Sequence, residues 1–218
     1  MAEVLAHNAS TMEPIHAESA PAVGPNAVIQ LGEALRDRLG DRAARDVFAH
    51  AGLGHFLANP PSEMVDEDAV RGLFRSLYHL LPSATAAAIA AEAGRRTADY
   101  LLANRIPGLA RATLRSLPGR LAAPLLLSAI ASNAWTFAGS GTLQTRAGSP
   151  SLIEIADNPI AIPGCVWHVA VFKTLFGALV TPDVEVHHPQ CCHAGAPSCR
   201  FEIAPARRGI RRLTGLLG

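Results

Sequence analysis

Four cysteines crowd into positions 165 to 199 of a 218-residue chain whose first 164 residues hold none. Histidines crowd with them. The text reads His187-His188-Pro189-Gln190-Cys191-Cys192-His193, with Cys165 a helix length before it and Cys199 shortly after. A disulfide framework normally staples a small secreted chain, whereas this one is long enough for its own core and opens without the layout of a signal peptide. Thiols clustered with histidines in a reducing compartment bind metal or do redox chemistry. Soft thiolates and imidazoles at a tetrahedral site suit zinc, and four such ligands with no fifth make a closed structural site. The spacing matches no zinc finger, so Cys192, His187 and His193 compete with their neighbours for ligand positions. The plain alternative is that the cysteines are small buried residues and the histidines a solvated loop.

The rest of the chain sets the frame around that cluster. Nearly half of the residues are apolar and 17% are charged, which predicts a globular chain. The formal charge of +1 offers no global attraction for nucleic acid, so no such partner is expected. Residues 1–25 lack sustained periodicity and read as a disordered leader. From Asn26, Val28, Leu31, Leu35 and Leu39 recur at helical intervals until Gly40, and Asp41 opens a second helix through His50. Ser62 caps a segment reaching Leu81, Ser83 opens a long helix to about Asn104, and an apolar helix runs from about Pro118 to Phe137. The period then changes. Thr142–Arg146 and Ser151–Ala156 flank a Gly-Ser-Pro turn as a hairpin. Cys165–Val180 is helical, and Val184–His188 and Cys199–Ile203 are two more strands. A helical part over 26–137 thus leads into a module over 138–204 of β-β-α-β-β order, and the fold class is α+β. A thiolate at Cys165 would stand at a helix N-terminus, whose unpaired amides favour negative charge.

The stretch from Cys165 to Ile203 resembles the 4-vinyl-reductase domain, a small-molecule-binding module also found in aromatic-sensing bacterial transcription activators. That family carries a cysteine heading a helix, an acidic residue three positions before a second cysteine, and a third cysteine eight positions further on. The resemblance implies Cys165, His188, Cys191 and Cys199 as the ligands of one structural zinc ion. His188 stands where the family has its acidic residue, and Cys192 is an addition. Pro61–Val65, Ala98–Pro107 and Ala134–Gly141 are similar to segments of the bacteriochlorophyll-biosynthesis 4-vinyl reductases, extending the likeness over roughly residues 25–203. The resemblance implies a role with divinyl chlorophyllide or protochlorophyllide precursors. It also implies an α+β fold shared with vesicle-tethering subunits, and a homodimer formed through the helices.

Reduction of a vinyl group needs a hydride or electron source. Gly139-Ser140-Gly141 precedes a strand rather than following one, so the dinucleotide fingerprint is missing, and the cysteine spacing suits no iron–sulfur cluster. A closed zinc site has no redox chemistry to offer. The residues therefore favour an accessory or carrier protein that binds a tetrapyrrole and delivers it to enzymes of the bacteriochlorophyll pathway. A vinyl reductase is the alternative, and a small-molecule sensor domain the second alternative. Trp135, Phe137, Trp167, Phe172 and Tyr100 are the candidate lining of an apolar pigment pocket, with Phe176 beside them. His168 is the preferred axial ligand for a magnesium-bearing tetrapyrrole, ahead of His79 and His55. Arg95, Arg96, Arg105, Arg111, Arg115 and Arg120 form a basic stripe suited to a propionate or to an acidic partner. The tail over 205–218 mixes arginines with leucines, and could bring a cytoplasmic protein to an anionic membrane surface.

Overall fold

The computed structural model describes residues 21–206. Most of the leader reading and nearly all of the tail reading lie outside the described residues. The chain is anchored before Asn26: β1 (Ala22–Val23) pairs antiparallel with β2 (Val65–Asp66), and Val23 is wholly buried. Helix α1 (Asn26–His50) consists of two pieces meeting at Gly40, where φ of 84° and ψ of 170° leave the helical region. The stop expected at Gly40 is thus a corner between two helical pieces.

The cap expected at Ser62 is supplied by Asp66, whose carboxylate accepts the Ala69 amide at 3.0 Å. Pairing of Val65–Asp66 with β1 keeps the backbone extended up to that point, so α2 (Glu67–Leu80) starts later than its polar prefix suggests. Val70, Leu73, Phe74 and Leu77 form its buried face. Helix α3 (Ser83–Asn104) buries mainly small side chains, among them Ala86, Ala90, Ala93 and Gly94. Small residues let backbones approach closely. A Cβ at Gly94 would collide with the Trp167 carbonyl of the helix packed against it. A short α4 (Gly108–Ser116), absent from the sequence reading, fills the space between Pro107 and Pro118. The apolar run after Pro118 divides into α5 (Gly119–Ser132) and α6 (Trp135–Ala138), because Asn133 leaves the helical region and turns its amide onto the Ala129 carbonyl.

The C-terminal strands form one antiparallel sheet in the order β3-β4-β6-β5, comprising β3 (Thr142–Arg146), β4 (Ser151–Ala156), β5 (Val184–Gln190) and β6 (Ser198–Pro205). The β3–β4 hairpin falls where the period-two pattern put it. Helix α7 (Val166–Leu179) joins β4 to β5. It carries buried side chains around much of its circumference, because α3 and the sheet cover it from two sides. Ile153, Ile155, Phe201 and Ile203 make the sheet's buried face. The architecture is α+β, with the helices gathered on one side of a small sheet.

Candidate functional site

The cysteine cluster forms where three backbone irregularities meet. Pro163–Cys165 is a single 3-10 turn, and Gly164 (φ 64°) and Cys165 (φ 43°) both take left-handed geometry just before α7. A non-glycine residue there is strained and persists only where its surroundings hold it. The Cys165 amide bonds the Ile162 carbonyl at 2.8 Å, and its side chain is wholly buried. On β5 the register against β6 shifts between His187 and Gln190. That bulge accompanies a split between two adjacent histidines. His187 stands 76% exposed, 3.7 Å from Glu202, while the His188 ring stacks on Phe201 with centroids 4.6 Å apart. Cys199 is the second residue of β6, on the opposite side of the turn from Cys191.

Three sulfurs and one imidazole converge as a result. Cys165 Sγ lies 3.6 Å from Cys191 Sγ and 3.4 Å from Cys199 Sγ. A ring nitrogen of His188 joins them, with all four ligand atoms within 4.8 Å of one another. An ion held tetrahedrally at about 2.3 Å from each sulfur separates the sulfurs by about 3.8 Å, so this spacing fits a zinc-sized centre. The His188 Nε2 atom is buried without a hydrogen-bond partner, a costly state for a polar atom unless something else engages the ring. Donor type, spacing and burial suit one zinc ion in a closed, four-ligand site.

The surroundings favour thiolate at Cys199. Its sulfur receives the Cys192 amide at 3.3 Å and the Asn158 side-chain amide at 3.4 Å. The Cys165 thiol, foremost, then the His188 ring and those two amides hold Cys199 far below the usual thiol range, while burial opposes them. The same shared contact, with burial, pushes Cys165 upward. Cys192 stands beside the cluster without joining it: its sulfur reaches the Ile155 carbonyl at 3.9 Å, and burial, foremost, raises its thiol to about 11. His193 is exposed and lines a separate cleft of about 430 Å³ that also holds Arg75, Tyr78 and His79. Of the candidates that spacing left open, His188 and Cys191 come together with Cys165 and Cys199, while Cys192, His187 and His193 stand outside that group. Asn158 was legible only as a turn residue beside a proline, and nothing in its sequence context marked it as a sulfur donor.

The aromatic candidates divide. A cavity of about 290 Å³ opens between α3, α5, α6 and α7. Trp135 and Phe137 line it together with Leu101, Leu126, Ile130 and Leu175, and exposed Arg105 stands among its walls. Trp167, His168 and Phe172 are packed in the interior and do not line it. Tyr100 is half-buried and also outside that lining. His168 is fully buried, and its Nε2 donates to the Phe137 carbonyl at 2.9 Å. Burial pushes its pKa down to about 4, so the ring is neutral. Its Nδ1 is buried without a hydrogen-bond partner and the residue does not line the cavity, so the ring stands one hydrogen bond behind its wall. His55 packs on Phe56 and His79 stacks on His50, both away from this cavity. Sequence reading passed over α5 as a pocket wall, because its leucines and alanines carry no chemical signature.

A second tie went unread. The buried carboxylate of Glu67 accepts both the amide and the hydroxyl of Ser140, each at 2.7 Å. In sequence Glu67 is simply the middle one of three consecutive acidic residues, Asp66, Glu67 and Asp68. In space it pins the loop that leads from the helices into the sheet.

The V4R domain profile matches residues 153–205, which contain all four clustered ligands. The bacteriochlorophyll synthase 23 kDa chain of Cereibacter sphaeroides is 44% identical over 192 residues, covering 85% of this chain and 92% of that protein. The protein of the same name from Rhodobacter capsulatus is 39% identical over 198 residues, covering 88% and 91%. Among solved structures, an H-NOX family protein studied for heme distortion superposes with a TM-score of 0.53 at 13% identity, covering 83% of this chain and 94% of that one. That likeness concerns the fold alone. With such identity over nearly the whole length of two relatives, the chain belongs to the family of the bacteriochlorophyll synthase 23 kDa chain.

Proposed function

We propose that this protein is a tetrapyrrole-binding accessory or carrier of bacteriochlorophyll biosynthesis, handling a divinyl chlorophyllide- or protochlorophyllide-type precursor. The pathway assignment follows its family, whose members are named as chains of bacteriochlorophyll synthase. The observation that carries the binding role is the cavity between the helices and the module. Its walls are apolar and aromatic, with Trp135 and Phe137 facing it, and Arg105 supplies a cation for a propionate carboxylate. Such a site suits one edge of a flat macrocycle that carries an acidic side chain. The H-NOX structure of similar fold concerns heme distortion, and at 13% identity it supports the frame only.

In this reading Cys165, His188, Cys191 and Cys199 hold one zinc ion whose contribution is structural: it ties the start of α7 to the β5–β6 turn. The residues that act on pigment are elsewhere. Trp135 and Phe137 bury its apolar edge and exclude water, Arg105 orients it, and His168 positions Phe137 through the carbonyl bond. Enzymes of the same pathway are the partners that receive the pigment, and a second copy of the chain associates through the helices.

The test mixes purified protein with a divinyl protochlorophyllide, with and without NADPH, and follows absorption. A shifted spectrum without conversion supports the carrier, and the shift should weaken in Trp135→Ala and Arg105→Gln. Loss of the divinyl signature on adding NADPH would instead establish the vinyl reductase. An unshifted spectrum at pigment concentrations up to the micromolar range would end the pigment reading.

A further inference from the structure

Between Asp99 and Glu154 the chain contains five arginines and no acidic residue. Arg105, Arg111 and Arg120 lie on or beside α4 and α5, and among the described residues none of them pairs with a carboxylate. Arg115, on α4, bonds the Ala178 carbonyl and, among the described residues, pairs with no carboxylate. Arg95 and Arg96, which looked like part of the same stripe, are neutralised by Glu92, Asp99 and Asp37. Within this stripe the charge that lacks a carboxylate partner is therefore the part on α4 and α5.

Exposed apolar side chains concentrate in the same place. Of seven large hydrophobic residues exposed on the described surface, four are Leu109 (82%), Leu121 (49%), Leu125 (53%) and Trp135 (43%). Leu121 and Leu125 stand one helical turn apart on α5, while Ala122, Leu126, Leu127 and Ile130 fill its buried side. A helix apolar on both sides has a second apolar environment to meet. Leucines set among unpaired arginines, with a tryptophan at the margin, match the chemistry of a membrane interface. There leucines enter the acyl boundary, arginine stems lie along it with their heads at the phosphates, and tryptophan sits at headgroup level.

We propose that the α4–α5 face docks on an anionic phospholipid bilayer. An acidic protein surface would answer the arginines, but it leaves Leu109 unexplained: 82% exposed, this side chain stands out from the surface rather than lining a groove for a partner's side chain. No helix among the described residues is long and apolar enough to cross a membrane, so the contact is peripheral. The cavity lined by Arg105 and Trp135 borders this face, and docking would set its mouth at the lipid surface.

The experiment is vesicle flotation with the full-length protein and no pigment, so that the result is separate from the pigment reading. Vesicles of phosphatidylcholine with one-third phosphatidylglycerol are compared with pure phosphatidylcholine. Partition to the anionic vesicles should exceed the neutral ones at least tenfold and fall with salt. Leu109→Ser/Leu121→Ser/Leu125→Ser and, separately, Arg111→Gln/Arg120→Gln should each lower it roughly tenfold or more, with unchanged circular dichroism. Trp135 emission should shift to the blue on anionic vesicles, and Trp167, already buried, should not contribute. Equal partition to both vesicle types, or no partition, would overturn the proposal. So would full binding by both variants alongside loss of binding on replacing Arg207, Arg208, Arg211 and Arg212 in the tail. Self-association without vesicles, abolished by the leucine variant, would assign the face to a second copy and overturn it as well.

Discussion

The helical part and the sheet module are held together by different kinds of interaction. In α1–α3 the interior is mostly alanine, leucine and valine around Phe48 and Phe74, and apart from the buried Glu67 the paired charges stay at the rim, where Glu92 joins Arg95 and Arg96, and Arg96 reaches across to Asp37. The module buries Cys165, Cys199 and His168 among its aromatics, packs the half-buried Cys191 and His188 against them, and keeps Cys165 in left-handed geometry. An aliphatic interior loses stability in proportion to the atoms removed from it. A buried polar cluster loses it abruptly when one member leaves, because the others stay behind unsatisfied. The module should therefore be brittle and the helical part graded.

The largest expected effect tests that brittleness. Cys199→Ser should abolish stoichiometric zinc and cost on the order of 3–5 kcal/mol, the range for leaving buried charged partners unmatched. Cys192→Ser, whose sulfur is not among the four convergent ligand atoms, should keep the metal and lose little. Elemental analysis with thermal unfolding reads both, and equal behaviour of the two variants would break the four-ligand assignment.

Acid is the next lever. The folded-state pKa of His168 is pushed down to about 4 from 6.5 by burial, so between those values the unfolded chain binds the extra proton. Its contribution is complete above pH 6.5 and declines as pH falls toward 4, by about 3 kcal/mol at most at about 1.36 kcal/mol per unit. Denaturant midpoints at pH 7 and pH 4.5 should show a smaller drop for His168→Gln than for the parent. An identical drop would place the acid sensitivity elsewhere in the module.

The seam between the two parts predicts a pair of opposite signs. Gly94→Ala puts a Cβ against the Trp167 carbonyl and should cost about 1–3 kcal/mol, net of any gain in helix propensity. Gly72→Ala, with nothing within 4 Å of the new carbon, should stabilise by up to about 1 kcal/mol. Chemical denaturation separates the two, and a neutral Gly94→Ala would mean that the seam is looser than its backbone contact implies.

The smallest effect is expected at the rim. Arg95 and Arg96 hold the Glu92 carboxyl down to about 2, so this contribution is present above pH 4.5 and is lost as pH falls toward 2. With Arg95 half exposed, screening should limit Glu92→Gln to less than about 1 kcal/mol, and salt should shrink it further. A larger loss would show that this rim cluster is shielded from solvent more than its exposure implies.

Local pattern carried much of this molecule. The β3–β4 hairpin, the span of α7 and the change of period near residue 138 were readable because alternation and the 3.6-residue repeat are properties of neighbours in sequence. Helix α4 was missed because Gly108–Ser116 is short and buries only Leu114, leaving little periodic signal. The cap moved from Ser62 to Asp66 because a two-residue strand pair, formed with Ala22–Val23, decides where the helix begins.

By itself, the sequence determined that soft ligands gather near the C-terminus and that helices precede a small sheet. Both follow from composition and short-range periodicity. Only the tertiary structure decided which of two adjacent histidines and two adjacent cysteines turn inward. That choice depends on a bulge in β5, the twisted backbone at Cys165 and amides donated by Asn158 and Cys192. It also sent Trp135 and Phe137 to a cavity and Trp167 and His168 to the core, since helical spacing names a face but leaves open what packs against it.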